Sequence, residues 1–425
     1  MAHNFLWKII LGYVFIRPFI SELTFGSLEL IINSILIFIS CIYISKYSFK
    51  ITRQDKIIFI FLLCILSSLM FSKNILDGVI QFVKYTSLIM LYYSVKFSGS
   101  QKRQQLIYIL LTSSFLVSLY SLHILFIISN KISELIPRYK EILPFAEELL
   151  GRKRAFSPFI TPNLLANYLV MMLIFSLGLI FEAIKQRNLG TPQRDGVYLS
   201  GNRDTNQNKQ NLQERFIFFM NYQAGLLLYL SCASINLLTL YFTKSLGGWL
   251  TFIFCMFVSF ISGKMVRKKV LFVGTIITLT FCIIFLLRMM TNTQHATPIF
   301  SLFKRGDYWK ETIQIILRHP LKGVGLGSFT LSNTLYAHNS YLQIWAEMGI
   351  VAIISWSWIV FNFLRQGLMV LRSRERNYFT FGIILSGIAF LIHNLFDFSF
   401  FISQGAYLFW IILGLMHQAT HFSID

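Results

Sequence analysis

Long apolar runs recur along the whole chain, broken by short polar stretches. A helix that crosses a bilayer needs about 20 apolar residues, with a range of roughly 17–25. About twelve runs approach that length: 4–20, 27–45, 57–73, 75–95, 105–129, 162–184, 216–240, 246–263, 270–288, 349–371, 378–395 and 399–418. Arg17-Pro18 interrupts the end of the first. The seventh and eighth are separated only by Phe242-Thr243-Lys244-Ser245, which reads as a tight helical hairpin. The pattern predicts an all-α fold: one polytopic membrane helix bundle over residues 1–425.

Three stretches break the rhythm. Residues 130–161 form a long first loop with an amphipathic piece followed by RKRAFSPFITPN. Residues 186–215 are rich in Gln, Asn, Gly and Arg and too poor in apolar residues to offset their ordering entropy, so they read as a disordered linker. Residues 289–348, between the ninth and tenth runs, are predicted to form a long helical loop. Within it, KRGDYWKETIQIILRHP places Arg305, Trp309 and Thr312 on one helical face. That helix is expected to stop before Pro320. YAHNSYLQIWAEMG predicts a second short helix, with Asn339, Gln343 and Glu347 as a polar stripe and His338 on the face of Trp345. Earlier in the chain, Thr161 as N-cap and Pro162 in the first helical position predict a helix start, which puts Asn163 and Asn167 on one face.

Composition agrees with a membrane protein. The chain is 55% hydrophobic and only 13% charged, where soluble domains carry about 25% charged residues. The net charge of +20 would suggest nucleic acid in a soluble protein. Here the basic residues fall in alternate loops: Lys46, Lys50, Arg53 and Lys56, then Lys102 and Arg103, then 185–215, then Lys264 to Lys269, then Arg372 to Arg376. The positive-inside rule makes those loops cytoplasmic. Both termini are then cytoplasmic, residues 130–161 and 289–348 lie outside, and the expected partners are membrane lipids, not nucleic acid.

The outside segments hold the candidate chemistry. Arg152, Lys153 and Arg154 are basic residues that the inside bias does not explain, and they suit an anionic ligand. Lys244 is the one charge of the hairpin TKSLGGWL. The glycines of GVGLGSF follow no strand and lack the dinucleotide spacing, so they read as a tight turn. His393 and Asp397 stand four apart at the end of a span, where ionisable side chains are functional candidates. No third and fourth ligand accompany them, so a His–Asp hydrogen bond is expected and no metal site. Cys41, Cys64, Cys232, Cys255 and Cys282 all lie in apolar runs with no metal spacing.

Arg305 followed by Trp309, HPLKGVGLGSF, AHNSYLQIWAEMGI and HNLFDF, in that order, resemble the O-antigen ligase and polymerase superfamily; RAFSPFITPNLLANYL resembles its upstream pattern. The resemblance implies a glycosyltransferase of the bacterial inner membrane with a periplasmic active site, needing neither cofactor nor metal. Its donor would be an undecaprenyl-pyrophosphate-linked glycan, and its acceptor lipid A-core or a growing glycan. By the resemblance, Arg305 binds the pyrophosphate and His338 is the general base. TKSLGGWL has Leu246 where the family often has arginine, so Lys244 is the expected substitute. Arg154, Asn163, Trp309, Asn339, Glu347, His393 and Asp397 complete the expected substrate-binding set. A ligase is expected first and a polymerase joining repeat units second. A transporter or flippase is the remaining alternative, with Lys84 as the clearest mid-span charge.

Overall fold

Helix starts follow side chains that satisfy the first free backbone amides. In the computed structural model, which describes residues 2–21, 26–48, 51–128, 153–189, 225–261, 298–372 and 377–421, the regular elements are helices. They are α1 (Ala2–Ile16), α2 (Gly26–Ile44), α3 (Arg53–Leu69), α4 (Ile75–Lys96), α5 (Ser100–His123), α6 (Pro162–Leu189), α7 (Gly225–Thr243), α8 (Leu246–Ile261), α9 (Pro298–Arg318), α10 (Ser340–Met348), α11 (Ile350–Arg372), α12 (Tyr378–His393) and α13 (Ser403–His421). Thr52 and Asp55 form a capping box at α3, and Asn74 and Asn377 cap α4 and α12. At α6, Leu164 N donates to Thr161 Oγ1 (3.3 Å) ahead of a first-turn proline, as expected from Thr161-Pro162.

Among the described residues, six helices are long and apolar enough to cross a membrane: Ser27–Ile44, Ile75–Lys96, Ser100–Ile127, Pro162–Gln186, Gly225–Thr243 and Ile350–Met369. Leu246–Ser259 and Tyr378–His393 are shorter apolar helices. Helices Ala2–Ile16, Arg53–Leu69 and Ser403–His421 also overlap the expected runs 4–20, 57–73 and 399–418. The expected span at 270–288, Arg152, Cys282 and most of 130–161 and 186–215 lie outside the described residues. The helix α6 continues to Leu189, into the stretch read as a linker.

The bundle is held by close helix crossings and buried polar ties. Lipid offers apolar contacts as good as leucine does, so small residues that let backbones approach decide where membrane helices meet. α6 and α12 cross at Gly178 and Gly382, where a Cβ on Gly178 would stand 2.8 Å from the Gly382 Cα. Buried ion pairs tie the described helices. Arg17 Nη2 meets Glu29 Oε1 at 2.7 Å where α1 ends, and Lys96 Nζ meets Asp55 Oδ1 at 2.6 Å between α3 and α4. Removing one partner of such a pair costs about 3–5 kcal/mol, because the other charge is left uncompensated.

These ties sort the helix ends. Lys96–Asp55, Gln54–Gln366 and the bond from Tyr378 N to Glu182 gather the ends of α3, α4, α6, α11 and α12 at one end of the bundle. At the other end lie the α3–α4 turn, the start of α6, the α7–α8 hairpin, the loop from α9 to α10, and the α12–α13 connection. The glycine run docks that loop. Val324 N donates to Ala346 O (2.9 Å), Gly325 N to Glu347 O (3.1 Å) and Leu326 N to Ser68 O (3.2 Å), while Lys73 N donates to Ser328 Oγ (2.8 Å). Gly323, Gly325 and Gly327 all have positive φ, with Gly325 packed on the Phe71 backbone. The amides of Gly323, Val324, Gly325, Leu326 and Ser328 bond to protein carbonyls, so the run is a turn, as expected, and these amides cradle no phosphate.

Candidate active site

The start of α10 is set by Asn339, whose side chain accepts from Tyr341 N and Leu342 N (3.0 and 3.1 Å). The helix therefore begins after His338, and His338 itself has a left-handed backbone (φ 50°). A non-glycine residue held there stores strain that the surroundings must sustain. Those surroundings are specific. Trp309 Nε1 of α9 donates to His338 O (3.4 Å), Tyr308 stacks on the imidazole (centroids 5.7 Å apart), and Phe398 meets it edge-on (5.0 Å). Asn394 pins the neighbouring Ser340: Ser340 Oγ donates to Asn394 Oδ1 (2.6 Å) and Ser340 N to Asn394 O (3.0 Å).

Through this staple α10 meets the end of α12, and His338 meets Asp397. His338 Nδ1 stands 4.0 Å from Asp397 Oδ1, and His393 Nε2 stands 3.2 Å from Asp397 Oδ2. One carboxylate thus lies between two imidazoles. Asp397 and His393 are buried, while His338 keeps about a quarter of its side chain accessible (24%). Among the described residues, Nδ1 of both histidines and Oδ1 of Asp397 have no hydrogen-bond partner. Closing the 4.0 Å gap to a hydrogen bond needs a shift of about 1 Å.

The electrostatics fit that layout. Burial pushes the His338 imidazole down to about 4; Asp397 opposes this, and the nearby positive charge of Arg305 adds to it. Burial alone would raise the Asp397 carboxyl, yet the His393 hydrogen bond and the charges of His393, His338 and Arg305 leave it below its ordinary value. At neutral pH the cluster therefore presents a neutral His338, a charged Asp397 and a cation, Arg305, within electrostatic reach of both.

The α7–α8 hairpin closes one side. Gly247 lies against His393, where a Cβ would stand 3.5 Å from Cε1 and 3.9 Å from Nδ1. Ser245 Oγ donates to Asn163 Oδ1 (2.8 Å), and Arg154 Nε donates to Thr243 O (2.8 Å). Lys244 sits exposed at the tip with φ 51°, and Leu246 is the first residue of α8. Asn167 is fully buried, and neither of its amide atoms bonds to a partner among the described residues.

The structure thus brings together Arg305, Trp309, His338, Asn339, His393 and Asp397, with Arg154, Asn163 and Lys244 on the adjoining hairpin seam. Glu347 stands apart. It lies more than two turns further along α10 and is buried. Burial pushes its carboxyl up to about 8, against the pull of Lys84 and of bonds from Gln343 and the Phe329 backbone. It belongs to the docking of the loop, not to the cluster. Trp345 also leaves the site: its Nε1 donates to Pro320 O (3.0 Å), because counting helical faces from His338 fails once the helix begins at Ser340. Spacing along the chain does not single out Tyr308, Phe398, Ser340 or Asn394, although Ser340 stands in AHNSY, and Asn394 and Phe398 stand in HNLFDF.

The protonated Glu347 has a measurable consequence. Its folded value of about 8 exceeds its ordinary 4.5, so its contribution to stability is complete below 4.5 and is lost as pH rises through about 8. Thermal unfolding should show wild-type stability falling as pH rises from about 4.5 to about 8, with the fall reduced in Glu347→Gln. An equal fall in both proteins would contradict a protonated Glu347.

No curated protein and no solved structure matched the chain. Residues 231–357 match the family model described as O-Antigen ligase. The matched segment holds the hairpin, Arg305 and His338, while His393, Asn394 and Asp397 follow it in sequence. This match, in a chain of apolar helices, supports a likeness to the O-antigen ligase superfamily over that segment.

Proposed function

We propose that this chain is a glycosyltransferase of the bacterial inner membrane that moves a glycan from undecaprenyl pyrophosphate to an acceptor hydroxyl at the periplasmic face. The observation that supports it best is the His338–Asp397–His393 cluster beside Arg305, with His338 and Arg305 inside the segment that matches the ligase family. The acceptor hydroxyl attacks the anomeric carbon, and its O–H proton passes to the neutral His338. The bond from that carbon to the pyrophosphate oxygen breaks with inversion, and the electron pair leaves with the diphosphate. Negative charge grows on the departing group, and a fixed cation at Arg305 stabilises that charge more in the transition state than in the ground state. Asp397 stabilises the imidazolium as it forms. The donor is already activated, so the scheme calls on no nucleotide sugar and no metal.

The ligase reading takes lipid A-core as acceptor. It is tested with purified protein in liposomes, lipid-linked glycan and lipid A-core, scoring release of undecaprenyl pyrophosphate together with glycosylated acceptor. The expected result is coupled release and transfer that survive EDTA. Loss of transfer in EDTA would sink the metal-free scheme. Elongation of the lipid-linked glycan in place of transfer to lipid A-core would assign the chain as a polymerase.

A further inference from the structure

A helix that packs on a protein and meets water elsewhere keeps its apolar residues on the packed face. α9 departs from that pattern. It buries Thr312 and Ile316, and Ile316 packs with Ala337 and Ala346. Ile313 and Leu317, four residues apart on the adjoining flank, are nevertheless exposed, Leu317 at 73%. Leu321, just past the helix, is 75% exposed. One turn before Ile313, Trp309 carries the row on to Phe396 (ring centroids 6.2 Å apart), which is exposed with Leu395 just past the end of α12.

The row ends where a membrane span begins. Ile350 N donates to Pro320 O (3.1 Å) and Leu321 O (3.3 Å), so Leu321 is tied to the first residue of α11. Lys322 Nζ lies 4.6 Å from the centre of the Phe71 ring, just past the end of α3. α11 is long and apolar enough to cross a membrane, and it exposes Val351, Ile354, Trp358 and Phe361 along one face. Lipid is what covers such a face on a span, and the row on α9 continues it at the outer rim. Cations stand at the edge of the row. Lys310 neighbours Leu317 around the helix, Lys322 follows Leu321, and both are exposed. Lys310 lies 3.9 Å from Asp307, an exposed pair of the kind that holds a side chain only weakly. Apolar side chains on one flank with lysines at its border are the signature of a helix lying in a membrane interface.

We propose that α9 is seated in the lipid bilayer interface, with Ile313, Leu317 and Leu321 among the acyl chains and Lys310 and Lys322 at the headgroup phosphates. The seating follows from the packing of α9 and does not need the transferase reading. It gives the bilayer a part in placing the cluster, because the same helix carries Arg305, Tyr308 and Trp309 to His338. The photo-crosslinking residue benzoylphenylalanine is placed at Ile313, Leu317 or Arg318 of the full-length chain. Each variant is irradiated in nanodiscs of phosphatidylcholine, with and without phosphatidylglycerol, and its adducts are read by mass spectrometry. All three positions are exposed, so the fold should tolerate the probe, and thermal unfolding checks this. Arg318 is the control: it stands beside Leu317 along the helix but about 100° around it, on the polar flank.

Phospholipid adducts are expected at positions 313 and 317 and are expected to be lost at 318. Phosphatidylglycerol should raise the yield at 317, because basic residues at a bilayer surface attract anionic headgroups. Lys310→Gln combined with Lys322→Gln should abolish that rise and keep the adducts formed in phosphatidylcholine alone. Absence of lipid adducts at both 313 and 317 would overturn the seating, as would equal adducts at all three positions. Adducts that join 317 to a second copy of the chain, or to another part of the same chain, in place of lipid would overturn it too. Lipid adducts at 313 and 317 in a protein that transfers no glycan would uphold the seating and remove the transferase reading alone.

Discussion

His338→Ala should lower glycan transfer by about two to four orders of magnitude, the usual contribution of a positioned general base, while donor binding stays close to wild type. The expectation rests on where the imidazole sits. It is neutral at physiological pH, partly accessible, and faces Asp397 at 4.0 Å through Nδ1. If Nδ1 carries the proton toward Asp397, Nε2 is the nitrogen that takes the acceptor's proton. The pH profile gives an independent readout. A folded value of about 4 means that the free enzyme loses kcat/KM only when His338 is protonated, so the acid limb should fall near 4 rather than near 6.5. Asp397→Asn removes the influence that raises the imidazole, so it should move that limb further down and lower kcat at the same time. A limb that stays at 6.5 in wild type would contradict the buried geometry of His338.

Arg305→Ala should reduce transfer by about 10²–10³-fold, the scale seen when a preorganised charge stabiliser is removed, and should weaken donor binding as well. Arg305→Lys should recover only part of the loss, since an ammonium is a point charge and cannot reproduce the guanidinium fork. The same substitution reports on the cluster. The Arg305 charge helps hold His338 down, so its removal should shift the acid limb of kcat/KM upward. The opposite displacements in Arg305→Ala and Asp397→Asn separate electrostatic roles from a general loss of structure.

Local chemistry was legible in the sequence where it depends on neighbours along the chain. Thr161-Pro162 marks the start of α6, Pro320 follows the end of α9, and His393 meets Asp397, four residues on, just past the end of α12. The apolar runs mark where helices form. Contacts between helices were not legible, because no periodic signal records them. Nothing in the spacing says that Asp397 turns its second oxygen toward His338, or that Asn394 pins Ser340. Face-counting also fails where the backbone leaves the helix: His338 is left-handed, so Trp345 is carried to Pro320 and away from the imidazole. Glu347 was read from its four-residue spacing as part of a polar stripe. Tertiary packing buries it instead beneath the glycine run, within the field of Lys84.

The most direct measurement is donor binding and donor turnover side by side for wild type, His338→Ala and Arg305→Ala, in liposomes with a lipid-linked glycan. The account predicts that His338→Ala binds donor but does not turn it over, while Arg305→Ala is impaired in both. Normal turnover in both variants would contradict it.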